Sequence, residues 1–280
     1  MKDDAIFDHG HVTVITPPGR LPRIDWNELW AYRELLWVLA TRDIKVRYKQ
    51  SLLGAGWAIV RPLLTMVVFT VLFGVLAKID SDGMPYPVFV YAGLLPWTFF
   101  SSVVGSASQS LLASSHLVSK VYFPRLIIPL SSAGAPLADL IVSTTILLAL
   151  MAWYGMGWTS HLLAAPFLVL LCAVAALGIG TLLSALTVTY RDFTHITPFL
   201  IQLWLYATPV IYPLSLVPPK WQWVMYANPL TGIVEGFRAC FLGRAFDWPS
   251  LAFSTVISLA ALAVGIAYFE KAERRFADVI

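Results

Sequence analysis

The chain has 280 residues, 58% of them hydrophobic and only 12% charged, with a formal net charge of +3. Mean hydropathy is +0.73, and so little polar surface cannot hold a folded globule in water. That excludes a soluble enzyme, a disordered chain and a nucleic-acid-binding module, and leaves an integral membrane protein of all-α class.

Residues 1–24 read as a cytosolic tail. Asp3, Asp4, Asp8 and His9 interrupt any apolar run of the kind an export signal needs, and Pro17-Pro18-Gly19 breaks the chain. A short strand fits at His11–Thr16. Residues 25–50 change pattern: Trp26, Leu29, Trp30, Leu36, Trp37, Ala40 and Ile44 recur at helical spacing, with Arg33, Arg42, Lys45 and Lys49 largely off that stripe and Asp25 placed to cap the start. A basic helix with tryptophans on its apolar side lies in the membrane interface; packing on a soluble partner is the alternative.

Residues 51–280 carry the spans. A hydrocarbon core of about 30 Å takes about 20 helical residues to cross. Six segments qualify: Trp57–Ala77, Val88–Ala113, Leu126–Tyr154, Leu162–Thr189, the shorter Ile196–Tyr212 and Pro249–Phe269. The second is less apolar in its latter half, which holds Ser, Gly and Gln109. The third carries Asp139, read as a locally hydrogen-bonded residue rather than an ion site. The fourth contains Ala176, Gly180 and Ser184 at four-residue spacing, a small-residue seam for close helix packing.

Between the last two spans, Asn228-Pro229 starts a helix and Gly243 stops it. The helix between them is about 21 Å long, too short to cross. With Glu235 and Arg238 inside it, the segment reads as a re-entrant or surface hairpin facing outward. Two further spans are the counter-reading. With the amino terminus inside, 15 of the 19 Lys and Arg fall on the inner side, so both termini are expected in the cytosol.

No P-loop, no Gly-x-Ser-x-Gly elbow and no convergent metal-ligand set is present; the histidines are scattered. Internal repeats, the mark of a secondary transporter, are missing as well. The loop SSHLVSKVYFPR after the second span spells a short helix capped by Ser114 or Ser115 and ended by Pro124. Leu117, Val118, Val121 and Tyr122 form one apolar face, with Lys120 and Arg125 at its rim, suited to a partner's groove. A mere inter-helix turn is the plainer reading.

Three blocks carry a resemblance: LATRDIKVRYKQSLLGAGWAIVRPL (39–63); GLLPWTFFSS with SKVYFPRLIIPLS (93–102 and 119–131); and YRDFTHITPFLIQLWLYATPVIYP with NPLTGIVEGFR (190–213 and 228–238). In these the chain resembles the permease subunit of type-2 ABC exporters, in the branch that handles lipid-linked O-antigen, capsular polysaccharide and teichoic acid. The resemblance implies a multi-pass permease in a bacterial inner membrane, a homodimer with two ATP-binding cassette ATPase subunits. ATP and Mg would sit on those subunits, and this chain would bind no cofactor and catalyse nothing. It also implies ATPase coupling through the loop after span two (Leu117, Lys120, Val121, Tyr122, Phe123, Arg125) and through Arg42 and Arg47 of the interfacial helix. Tyr190, Arg191 and Asp192 lie at the inner end of span four, where they fit coupling or plain anchoring at the headgroups.

For the translocation pathway of the glycan, aromatic rings near span ends are the candidates, because they stack on sugar faces with little directional bonding. Phe69 and Phe73 share a helix face on span one. Phe199, Gln202, Trp204 and Tyr206 lie on span five. Ordinary packing is the alternative for each ring. Two rival functions remain: a type-2 ABC permease for a small drug or lipid, and a membrane-embedded glycan-modifying transferase. The second would need an acid–base pair near a membrane face, and the sequence offers none.

Overall fold

The computed structural model describes residues 26–49, 56–274 and 276. The expected tail, the Asp25 cap and the link from interfacial helix to first span lie outside these residues. All regular structure described is helical. In chain order it comprises α1 (Trp26–Ala31), α2 (Arg33–Lys49), α3 (Gly56–Phe69, running on as a π-helix over Thr70–Leu76), α4 (Tyr86–Ala113), α5 (Ser115–Lys120), α6 (Ile127–Ser131) and α7 (Gly134–Trp153). A 3-10 turn at Ser160–Ala164 leads into α8 (Ala165–Thr189), followed by α9 (Phe193–Ala207), α10 (Pro219–Tyr226), α11 (Pro229–Leu242) and α12 (Trp248–Glu273).

Among the described residues, five helical stretches are long and apolar enough to cross a membrane: Gly56–Leu76, Tyr86–Ala113, Ile127–Trp153, Ser160–Thr189 and Trp248–Glu273. They match five of the six expected spans to within two residues at most ends. The fifth expected span behaves differently. α9 has 15 residues, about 22 Å of helix, and Thr208–Tyr212 continues it without helical structure.

α4 is the hub, with α3, α7, α8, α9 and α11 all packed around it. Close approach to α8 follows from the small-residue seam: a Cβ at Gly180 would fall 2.7 Å from the Ala107 Cβ on α4. A second seam joins α8 to α12, where Gly178 meets Gly265 backbone to backbone and a Cβ at Gly178 would lie 2.5 Å from Leu262 N. Glycine at both positions lets the two helices touch along much of their length. The larger apolar core runs through α4, α7, α8 and α11. A smaller one, with Leu39, Leu111, Val118, Phe123, Phe269 and Phe276, closes the end of the bundle that carries α2 and α5.

α11 matches the sequence expectation at both ends. Asn228 Oδ1 accepts the Leu230 N–H at 3.0 Å, Pro229 occupies the first turn, and Gly243 adopts φ +71°. Its surroundings correct the surface-hairpin reading, because all of α11 from Pro229 to Leu242 except Glu235 is buried. Only α10 of this hairpin is largely exposed, with Trp221 and Trp223 open.

The amino-terminal helix also differs from a single amphipathic stripe. α1 and α2 run on through Tyr32, whose N–H donates to Glu28 O at 3.1 Å. Leu29, Leu35, Leu36 and Leu39 pack toward the bundle, whereas Trp26, Trp30 and Trp37 are 68%, 71% and 69% exposed. The helix is apolar on two sides, one against protein and one facing out. Period counting merges two such faces into one.

Candidate transport site and coupling surface

From Val88 to Trp97 every residue of α4 is buried. From Thr98 onward the helix uncovers one face. Its unburied positions are Thr98, Ser101, Ser102, Gly105, Ser106, Gln109, Ser110, Leu112 and Ala113. All but Leu112 and the small Gly105 and Ala113 carry a hydroxyl or amide, and at helical spacing they form one stripe about 22 Å long. Thr98, Ser101 and Ser110 donate to carbonyls one turn back, at 3.0, 3.2 and 2.7 Å. Their oxygens are left free to accept. A lipid-facing helix looks like α3 instead, where every exposed side chain from Leu64 to Leu76 is apolar. Hydroxyls and amides turned to hydrocarbon would forfeit their hydration, so this face suits water and polar cargo.

The lower end of the stripe opens into a cavity of about 150 Å³ between α2, α4 and α6. Ser106, Gln109, Ser110, Ser131 and Ser132 line it, with Arg42 and Asp43 across from them. Arg42 donates through Nε and Nη2 to its neighbour Asp43 at 3.1 and 2.9 Å.

The aromatic candidates divide. α9 runs beside the stripe, with Ile201 Cδ1 3.9 Å from where a Gly105 Cβ would be. On α9, Phe199, Gln202 and Tyr206 are exposed. Trp204 is a packing residue: its indole N–H donates to Asn228 Oδ1 at 3.0 Å and its ring meets Phe100 edge-on at 5.3 Å. Phe69 and Phe73 share a face as expected, 5.7 Å apart and edge-on, and both pack against the core.

The bundle end where α4 begins is tied by charges. Arg238, which the sequence counted among the few outer-side cations, is fully buried. It donates to Glu235 Oε1 and to Val210 O, both at 2.7 Å, and lies 3.7 Å over the Phe89 ring. Tyr86 adds a hydrogen bond to Ile211 O at 2.8 Å. Together they satisfy the carbonyls of Val210 and Ile211 in the non-helical stretch after α9. Nearby, Arg244 donates to Asp82 at 2.6 Å and Ser215 donates to it at 2.7 Å. Burial alone would raise the Asp82 pKa, but these hydrogen bonds and the Arg244 charge hold it below the usual carboxylate value.

At the other end, the loop after α4 departs from the helix expected over Leu117–Phe123. α5 stops at Lys120, and Val121 is extended, so Pro124 is not what ends it. The single apolar face splits accordingly. Val118 and Phe123 are buried in the small core, Leu117 is half-buried, and Val121 and Tyr122 stand out at 53% and 74% exposure beside exposed Lys120. The Glu28 carboxylate and partial burial keep the Tyr122 hydroxyl protonated beyond its usual range, linking the loop to α1. Arg125 turns inward, donating to Glu273 O at the end of α12 at 2.8 Å.

Asp139 is hydrogen-bonded, as expected, but across helices: Arg47 and Tyr48 of α2 both donate to its carboxylate. Burial and then the Asp139 carboxylate push the Tyr48 hydroxyl up to about 12, so it stays a donor. Arg47 is thereby engaged within the chain. Arg191 and Asp192 are exposed where α8 turns into α9.

Residues 34–242 match the family described as ABC-2 type transporter. The chain belongs to that family. It is 33% identical over 257 residues to the O-antigen export system permease protein RfbA of Myxococcus xanthus, covering 91% of this chain and 98% of the relative. It is 28% identical to the protein of the same name from Klebsiella pneumoniae, over 88% and 95% of the two chains. The polysialic acid transport protein KpsM of Escherichia coli is 26% identical, over 84% and 92%. Membership makes the chain a multi-pass inner-membrane permease, a transporter component rather than an enzyme, which associates with a separate ATP-binding subunit that hydrolyses ATP.

Gln109, Glu235 and Arg238 stand out in the sequence, but neither the stripe on α4 nor the Arg238 network is among the site residues expected from it. The first left a signal, polar residues at helical spacing within an apolar span. The second left none beyond a charge inside a short helix.

Proposed function

We propose that the chain is the membrane half of an ATP-driven exporter moving a lipid-linked, O-antigen-like polysaccharide across the bacterial inner membrane. It works as a homodimer with two ATP-binding subunits, which hold ATP and Mg. The observation that carries this reading is the uncovered polar face of α4. A stripe of hydroxyl and amide oxygens about 22 Å long offers acceptors to a polyhydroxylated chain as it slides, which a small apolar cargo would not use. The names of the relatives, O-antigen and polysialic acid transporters, favour the same cargo class. A second copy set against this face would enclose it, with Phe199, Gln202 and Tyr206 of α9 at its edge.

Six crossings with both termini in the cytosol fit this arrangement. Arg125, just after α5, bonds to Glu273 at the end of α12, so the chain leaves the bundle at the end where the loop after α4 lies. Between Tyr190 at that end and Trp248 at the other, α9 and Thr208–Tyr212 would be the segment that runs outward. The exposed tryptophans of α1 and α2 would then rest in the cytosolic leaflet, and the α10–α11 hairpin would face outward.

The test is Ser106→Leu combined with Gln109→Leu, which replaces the polar face with apolar bulk while leaving buried positions alone. Permease abundance and ATPase co-purification should be retained. ATP-dependent accumulation of glycan in inverted vesicles should fall about tenfold or more, the equivalent of about 1.4 kcal/mol. Unchanged accumulation would remove the stripe from the pathway.

A further inference from the structure

An ionised carboxylate within a membrane-spanning helix is expensive unless paired, and its partner is a pointer to function. Asp139 lies on α7 within the third span, and both of its partners, Arg47 and Tyr48, come from the last turn of α2. The contact is reinforced one helical turn and more away. There Gly134, at the start of α7, admits Ala40 of α2 so closely that a Cβ on the glycine would fall 2.7 Å from the Ala40 Cβ. α2 is therefore fastened to α7 at two points along its length. Its opposite neighbours are the residues of the small core, where Leu39 shares a cluster with Val118 and Phe123 of the loop that carries α5. α7 in turn packs on α4, whose stripe is the proposed path.

We infer that the Asp139–Arg47–Tyr48 clasp is the joint through which movement of α2 reaches the third span and the hub helix. Asp139 is a positioning residue in coupling: it touches no cargo, but makes α2 and α7 move as one body when the ATP-binding subunit displaces the loop and α2. This rests on the reading of the chain as an ATP-driven permease. A charge-assisted, hydrogen-bonded pair is suited to the task because slipping it breaks two directional bonds to one carboxylate, whereas apolar contacts can slide past one another. The two states are thereby kept discrete, as coupling between distant sites requires.

The experiment uses the full permease with its ATP-binding subunit in proteoliposomes, comparing wild type, Asp139→Asn, Tyr48→Phe and the reversed pair Arg47→Asp with Asp139→Arg. In Asp139→Asn and Tyr48→Phe, ATP hydrolysis and co-purification should persist while glycan exported per ATP drops about fivefold or more. The reversed pair should recover most of that ratio. An undiminished ratio in Asp139→Asn overturns the inference, and so does a loss of export that merely tracks lower abundance and melting temperature. A second readout needs no cargo. Spin labels at Lys45→Cys on α2 and Ile141→Cys on α7, both exposed positions, should keep one distance through the ATP cycle in wild type and spread in Asp139→Asn. A distance that changes with nucleotide in wild type also overturns the joint. A wild-type complex that hydrolyses ATP with constant label distance but moves no glycan would instead sink the proposed cargo and leave the clasp standing.

Discussion

At the scale of single residues, the charges tied up within the chain separate into two kinds. Arg238 is enclosed on all sides, with its guanidinium on two carbonyls, a carboxylate and an aromatic face. Asp82 and Arg244 sit in the loops at the same end, partly open to solvent. The Asp82 carboxyl is held below its usual value, so the folded protein favours its ionised form. The stabilisation is fully present above the unfolded carboxylate pKa of about 3.9 and is lost as pH falls through the lower folded value. The expected outcome is a drop in the melting temperature of the solubilised protein below about pH 4 that Asp82→Asn makes shallower. Solvent screening limits its size to on the order of 1 kcal/mol or less. An identical acid profile in Asp82→Asn would show that the pair adds nothing to stability. Arg238 marks the limit of sequence reading at this scale. Asn228 and Gly243 announce a helix because their chemistry acts on the adjacent backbone. The burial of Arg238 is set by Phe89 and Val210, far away in sequence, and composition carries no trace of that encounter.

At the scale of elements, the loop after α4 shows why a short apolar helix is hard to orient from period alone. With α5 only six residues long, the extended backbone from Val121 turns that residue and Tyr122 away from Val118, although a continued helix would have aligned all three. The exposed pair is what a partner can reach. Replacing Val121 and Tyr122 together with Asp should leave permease abundance near normal, since both side chains are more than half exposed. Seating those charges in an apolar groove would cost several kcal/mol. Each 1.4 kcal/mol is about tenfold in association, so the ATP-binding subunit should fail to co-purify. Val118→Asp gives the contrast: Val118 is 6% exposed within the small core, and its charge should lower abundance itself. Lys120→Ala should be mild, changing salt sensitivity more than binding. Full co-purification of the doubly charged variant would reduce the loop to a connector. The long apolar spans were legible because about 20 apolar residues in a row have few other uses. α9 ends earlier than the sequence suggests, because Thr208–Tyr212 is apolar enough to pass for helix, yet the carbonyls of Val210, Ile211 and Tyr212 are satisfied by Arg238 and Tyr86 instead of the next turn.

For the whole molecule, the arrangement of ends constrains the path of the chain through the membrane. α2, the loop carrying α5, and the last turn of α12 with Phe276 share one apolar cluster, and Arg125 binds Glu273 there. Segments in such contact occupy the same side of a bilayer, so an even number of crossings separates α2 from the end of α12. That end also gathers Lys45, Lys49, Lys120, Arg191 and Lys271, while Lys78, Lys220 and Arg244 belong to the other. In the proposed orientation the first end, with its concentration of Lys and Arg in short loops, is the cytosolic one. Reporter fusions after Lys120 and after Arg191 should therefore read cytosolic, and one after Lys220 should read external. The fusion after Arg191 tests the last link, because α8 delivers the chain to the cytosol only if α9 then carries it back across. An external reading there with a cytosolic one after Lys120 would mean that α7 and α8 do not both cross, and would remove α9 as a span. An external reading after Lys120 would invert the molecule, moving Val121 and Tyr122 beyond the reach of any ATP-binding subunit and removing the docking surface with the orientation.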